Sequence, residues 1–232
     1  MKKIEVFLRH CYYSHLQHSS HNRPSWWDKE KVFENFKRTL NPETTNYTII
    51  YDKHHGEKEN TFLKNEENVY EIDCGKESLS FIETLEYILL QNFSDDTIIY
   101  FLEDDYIHRP NWDKILVDGF TLPVDYVTLY DHGDKYQEMY KDFMTKVLHT
   151  EFSHWMPIPS TTNTFAVKFK TLKEDYIIQK QWSISYEPSA DHTKFIDLHQ
   201  RKRRTLVSSI PGYSTHCHTE FLSPCIDWKK YL

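Results

Sequence analysis

The 232-residue sequence predicts an α/β fold: a mixed, mainly parallel sheet covered by helices on both faces. Three observations carry this. Strands and amphipathic helices alternate through the first two thirds of the chain. The strand segments are continuous apolar runs without polar alternation, as in a sheet buried on both sides. Each run also ends at a charged or polar group, and in open α/β sheets the carboxyl ends of the strands are where ligands bind.

Taken in order, Ile4–Leu8 (IEVFL) reads as the first strand, followed by Arg9 and His10. Lys29–Leu40 places Val32, Phe33, Phe36 and Leu40 on one helical face and is stopped by Asn41-Pro42. Tyr47–Tyr51 (YTIIY) is the second strand, ending at Asp52, and Val69–Ile72 the third, ending at Asp73. Ser80–Asn92 reads as a helix, with capping-box spacing between Ser80 and Glu83 and a buried face of Ile82, Leu85, Ile88 and Leu89. Thr97–Asp105 (TIIYFLEDD) is a strand running into three carboxylates, Glu103, Asp104 and Asp105. A Pro110-initiated helix to about Phe120 and a strand at Asp125–Tyr130 complete the regular part. Beyond His132, Phe152–Pro159 and Thr162–Phe169 read as strands, Leu172–Trp182 as a helix, and a further helix starts near Ser189 with Asp191 in its first turn. The segment from Pro211 to Leu232 shows no period and is expected to close over a site or pack on the sheet.

Composition narrows the function. A net charge of −7 argues against general nucleic-acid affinity, and the basic run Arg201–Arg204 reads as a solvated helix end. Aromatics reach 16%, with 16 Tyr and 6 Trp, which suits sugar or nucleobase contacts as well as core; Trp155 and Tyr130 are candidates for stacking on a ring. Four cysteines without a CxxC pair do not support a zinc ribbon, and a His216–Cys217–His218–Cys225 site has no standard spacing. With no apolar span of membrane length and no signal-like start, the expectation is a cytoplasmic protein (bacterial cytosol, or host cytoplasm if viral) without a membrane span.

The chemistry gathers at the EDD triplet. Clustered negative charge at a strand end is costly unless something positive meets it, and a divalent cation holding a diphosphate would do so. Glu103 and Asp105, two apart, can point the same way and share Mg²⁺ or Mn²⁺, with Asp104 turned aside. Arg9, His10, Asp52 and Asp73 lie where a nucleoside crossing the strand ends would meet them. His216, after a Gly212 turn, can fold back as a further ligand. No P-loop and no GxGxxG occurs, and only 5 glycines are present.

At this point the chain resembles the GT-A class of nucleotide-sugar glycosyltransferases, whose acidic DxD-type motif looks like Glu103-Asp104-Asp105 here. It is more similar to a small inverting, family-2-like group that includes a chlorovirus capsid-glycosylating enzyme. The segments FLRHCYYS, IIYFLEDDYIHRPNW, YVTLYDHGDKY, PSTTNTFAVK, PGYSTHCH and LSPCIDW carry the likeness across nearly the whole chain. The resemblance implies one GT-A domain, with residues 1–131 as the nucleotide-binding half and 132–232 as the acceptor half and tail. It implies transfer of a sugar from a nucleotide-diphosphate donor, UDP-linked, to a hydroxyl of a glycan or glycoconjugate, with inversion. Asp105, Glu103 and His216 would hold Mn²⁺ or Mg²⁺. Arg9, His10, Tyr12, Asp52, Asp73, Lys76, Glu103 and Asp104 would line the nucleotide-sugar site. Asp191 matches the place of the base, although it is followed by His192 rather than embedded in a Glu-Asp pair; Asp131 is the second choice. A metal-dependent phosphoesterase, a nucleotidyltransferase and a non-catalytic carbohydrate-binding module are the rival readings.

Overall fold

The computed structural model describes residues 3–13 and 22–232. The first strand, β1 (Ile4–Cys11), is apolar up to Arg9 apart from the half-buried Glu5, and it pairs in parallel with β2 (Thr45–Asp52) on one side and β4 (Ile98–Glu103) on the other. Beyond β2 lies β3 (Val69–Ile72), also parallel. On the other side β9 (Phe165–Lys168) runs antiparallel between β4 and β6 (Tyr126–Thr128). β10 (Leu206–Ile210) is parallel to β6, and β8 (His154–Pro157) and β7 (Leu148–His149) close that edge in antiparallel fashion. Among the described residues, both halves of the chain thus contribute to one nine-stranded sheet, in the order β3-β2-β1-β4-β9-β6-β10-β8-β7. A separate two-stranded ribbon joins β5 (Tyr106–His108) to β11 (Ser214–His216).

Helices cover both faces. α1 (Lys29–Thr39) starts where the Asp28 carboxylate accepts the Lys31 amide at 2.9 Å, and it buries Val32, Phe33 and Phe36. Its Asn35 is buried and binds both the amide and the carbonyl of His108, so β5 is fixed to α1. α3 (Trp112–Gly119) lies on the same apolar cluster as α1; α2 (Glu77–Leu89), α4 (Phe169–Ile184) and α5 (Asp191–Lys202) face the second cluster, around Phe81, Phe101 and Phe165.

Several expectations are corrected. α2 begins three residues before Ser80, so the Ser80–Glu83 capping box does not form. Lys76 stands at the N-cap without a side-chain bond, and the Glu187 carboxylate, from far along the chain, accepts the Glu77 amide (3.2 Å) and the Ser78 hydroxyl (2.7 Å). The sequence reading names no strand where β10 lies, and this strand carries the polar Ser208 and Ser209. Both are buried, and their hydroxyls donate to the carbonyls of Tyr130 and Leu129. The C-terminal tail is not wholly irregular, since it supplies β11. Its end packs on α1: Trp228 is buried beside Val32, Ile107 and Cys217, and the Tyr231 carbonyl accepts from Asn35 and Arg38. Trp155 and Tyr130 are core residues with no exposed surface, so neither is a ring-stacking platform. The basic run does end α5, but Arg204 is engaged with Asp125, Glu174 and the fully buried Asp175. Among the described residues, no helix is long and apolar enough to cross a membrane.

Candidate active site

Parallel pairing brings the carboxyl ends of β1, β2, β3 and β4 to one edge, and β6 and β10 end on the same side of the sheet. There β4 stops at Glu103, and Asp104 and Asp105 form the tight turn into β5. Each member of the triplet is met by a cation of the chain itself. Glu103 accepts from Arg9 (2.9 Å) and from the Thr164 hydroxyl (3.2 Å). Asp104 is 2.8 Å from Lys29 and 3.0 Å from His10, and it accepts the Cys11 amide at 3.3 Å. Asp105 accepts from Arg23 (2.8 Å) and lies 3.1 Å from His216 Nε2, whose ring stacks on Tyr106. Asp104 is therefore turned aside from the other two, as the two-residue period suggests.

The environment divides these acids. Burial pushes Glu103 up to about 7, with Arg9 pulling it back and the charge of Asp105 adding to the rise. Burial acts on Asp104 and Asp105 as well, but Lys29 with His10, and His216 with Arg23, outweigh it and hold both below the usual carboxylate range. Asp105 nevertheless keeps one buried oxygen, Oδ1, without a hydrogen-bond partner among the described residues.

Arg9 extends the site sideways. Its guanidinium lies 2.9 Å from Glu77 as well as from Glu103. Glu77 accepts from Asn163 (3.0 Å) and from the Ser189 amide (2.8 Å), which draws the loop before β9 and the entry to α5 to the triplet. Lys194, one turn into α5, is fully buried; it donates to Asn163 Oδ1 and sits 4.1 Å from the centre of the Phe81 ring. Burial lowers it to about 8 against the pull of Asp191 and Glu77. Asp191, at the first position of α5, accepts the His192 amide (2.7 Å), and burial raises its carboxyl despite Lys194. Asp131 follows β6, is 1% exposed, and accepts the Tyr136 hydroxyl on both oxygens at 3.0 Å; burial lifts it to about 6. The Thr161 hydroxyl is buried without a partner among the described residues, and the buried Ser189 hydroxyl lies beside Glu77.

The remaining sequence candidates fall into two groups. His10 is buried against Tyr51 and Phe62 and supports Asp104 from behind. Asp52 is buried and accepts the amides of His54, Cys74 and Gly75, which ties the ends of β2 and β3 together. Gly75 needs its positive φ there, and a side chain would collide with the His54 ring. Asp73 is 61% exposed and bonded to His54, and Lys76 is exposed. Tyr12 is half exposed, with its ring against Gly56. Part of the FLRHCYYS segment lies outside the described residues. Arg23, Lys29, Glu77, Asn163 and Lys194 were not singled out in the sequence. Only Lys194 gave a usable signal, its i,i+3 spacing from Asp191 on one helix face.

As to the expected divalent ion, carboxylate oxygen and imidazole nitrogen suit Mn²⁺ or Mg²⁺, and the orphaned Asp105 oxygen next to His216 fits one. Among the described residues no three His, Cys, Asp or Glu side chains converge at ligating distance, so Asp105 and His216 are a pair rather than a finished cage. The His–Cys zinc alternative fails as well: Cys217 is buried in the core beneath the tail, and Cys225 is exposed.

No protein-family model matches the chain, and no curated protein matches its sequence. Solved structures do. The 4-diphosphocytidyl-2C-methyl-D-erythritol synthase of Anaerococcus prevotii is 11% identical, with a TM-score of 0.51 over 90% of this chain and 87% of that one. A CMP:2-keto-3-deoxy-manno-octonic acid synthetase complexed with CTP is 12% identical, at 0.51 over 91% and 92%. Residues 1–349 of S. aureus TarS are 13% identical, at 0.51 over 92% of this chain and 60% of that one. At such identities the likeness shows the fold: a mixed, mainly parallel α/β sheet of the kind these proteins share.

Proposed function

We propose that the chain is a glycosyltransferase that moves a sugar from a nucleotide-diphosphate donor, UDP-linked, to a hydroxyl of a glycan or glycoconjugate, with inversion. One observation supports this above the others. At the ligand-binding edge, a carboxylate held ionised with one buried oxygen unused (Asp105) stands across the Arg9–Glu77–Lys194 network from a carboxylate raised by burial (Asp191). Leaving-group binding and proton removal need those two opposite settings. The single-domain reading and the finer likeness to the inverting group belong to this proposal.

In this reading Asp105 and His216, with Glu103 beside them, hold Mn²⁺ or Mg²⁺, which when bound neutralises the diphosphate. Arg9 orients Glu103 toward the donor, and Lys29 fixes Asp104 so that the turn keeps its shape. Tyr12 offers an exposed ring for the nucleobase at the ends of β1 and β2. Asp191 takes the proton of the attacking acceptor hydroxyl, with Lys194 steadying the carboxylate as it starts the reaction ionised. The test is a thermal-shift screen of UDP-, GDP-, dTDP- and CMP-sugars with and without Mn²⁺. A shift that requires nucleotide and metal together is expected, and no shift with any pair overturns the reading.

A second reading has its own support: two of the structural neighbours are named as a diphosphocytidyl-methylerythritol synthase and a CMP-sugar-acid synthetase. A nucleotidyltransferase would release pyrophosphate from CTP or UTP given a sugar acid or sugar phosphate, which a glycosyltransferase does not.

A further inference from the structure

We infer that Arg23 is the resident cation of the Asp105–His216 pair, and that a divalent ion binds there only in competition with it. The inference rests on the reading of this pair as the donor-diphosphate anchor, and it concerns what holds the pair before any donor arrives.

The Arg23 guanidinium spends one arm on Asp105 Oδ2 (2.8 Å) and the other on the Cys217 carbonyl (2.7 Å), and its face lies 4.8 Å from the Trp27 ring centre. Its side chain is only 10% exposed. His216 reaches the same Oδ2, so that oxygen already has two donors, whereas Oδ1 is buried with none. A carboxylate so placed has capacity for one more positive partner. A divalent ion on it would stand beside a guanidinium in a poorly solvated space, where like charges repel strongly. One of the two has to yield.

Arg23 also has a mechanical consequence. The Thr219 amide donates to the Asn22 carbonyl at 2.7 Å, and the Cys217 amide to the Asp105 carbonyl at 2.8 Å. With Arg23 on Asp105, residues 22–23 are clipped to the tail that carries His216. Displacement of Arg23 loosens this clip and frees a planar, bidentate donor suited to phosphate oxygens. Arg23 is thus placed to exchange its carboxylate for a diphosphate when the metal enters.

The test is a Mn²⁺ titration of the nucleotide-free protein by electron paramagnetic resonance, comparing wild type, Arg23→Gln, Arg23→Lys and the double variant Arg23→Gln/Asp105→Asn, each checked for folding by circular dichroism. The expected result is Mn²⁺ affinity at least tenfold tighter in Arg23→Gln, little changed in Arg23→Lys, and returned to the wild-type level or weaker in the double variant. Affinity in Arg23→Gln no tighter than wild type, or a gain that survives loss of Asp105, overturns the proposal. Should Arg23→Gln not fold, the wild type still decides: Mn²⁺ saturation is expected to speed hydrogen exchange in the peptide carrying the Thr219 amide, and unchanged protection overturns it. Neither measurement involves a nucleotide, so failure of the glycosyltransferase reading shows separately, as absence of donor binding.

Discussion

Asp104 and Asp105 on one hand, and Asp131 and Asp191 on the other, are the same residue type in opposite electrostatic settings. The first two sit among Lys29, His10, Arg23 and His216 and stay ionised well below the ordinary range. Of the second two, Asp131 is buried and Asp191 half-buried; they have fewer compensating charges, a Tyr136 hydroxyl or a backbone amide, and are raised. Burial pushes all four the same way. What differs among these four is whether a fixed cation lies within about 3 Å, although Glu103, raised to about 7 with Arg9 at 2.9 Å, shows that neighbouring carboxylates such as Asp105 and Glu77 count against it.

The largest effect that would break this contrast is expected from Asp191→Asn. Turnover should fall ~100- to 10,000-fold, as for loss of a general base, with donor affinity unchanged. Steady-state kinetics beside donor-binding calorimetry separate the two quantities, and if Asp131→Asn shows the larger loss the base is Asp131. Next, Asp105→Asn should weaken nucleotide-diphosphate binding ~30-fold in Mn²⁺, the equivalent of about 2 kcal/mol for a charged contact, while the rate of bound donor changes less.

The contrast can also be sharpened by pH. A base must be unprotonated, so kcat should decline toward acid, with a midpoint near pH 6 if Asp131 serves. Stability carries the opposite signature at Glu103. Its folded pKa, about 7, lies above the ordinary 4.5, so its contribution is complete below about 4.5 and is lost as pH rises through 7. Glu103→Gln should therefore raise the melting temperature relative to wild type by a few degrees more at pH 7.5 than at pH 5. Asp104 and Asp105, both depressed, contribute above about 3.8 and lose that contribution as pH falls below it. The smallest effect is expected from Asp73→Ala and Lys76→Ala, both at exposed positions: donor affinity within about twofold, since surface ion pairs contribute ~0–1 kcal/mol.

The elements that were legible in the sequence are those whose own residues decide them. TIIYFL can be little other than a buried strand, and the 3.6-residue face of Val32, Phe33 and Phe36 fixed α1 nearly to the residue. Where local and distant signals disagreed, the sequence misled: Ser80 offered a cap, but Glu187 from another part of the chain caps the helix a turn earlier. Likewise Ser208 and Ser209 hide an interior strand, because their hydroxyls are met by carbonyls of Tyr130 and Leu129, just past β6.

By itself, then, the sequence determined the α/β sheet and the position of the acidic triplet at the end of β4, since apolar period and charge are local properties. Tertiary structure alone decided which cation each carboxylate meets. Arg23, Lys29 and Arg9 lie 82, 75 and 94 positions from Asp105, Asp104 and Glu103, and no spacing in the chain announces those pairs. Because pKa and ligand capacity depend on neighbours in space, the roles of the acids emerge only once the sheet has brought those neighbours together.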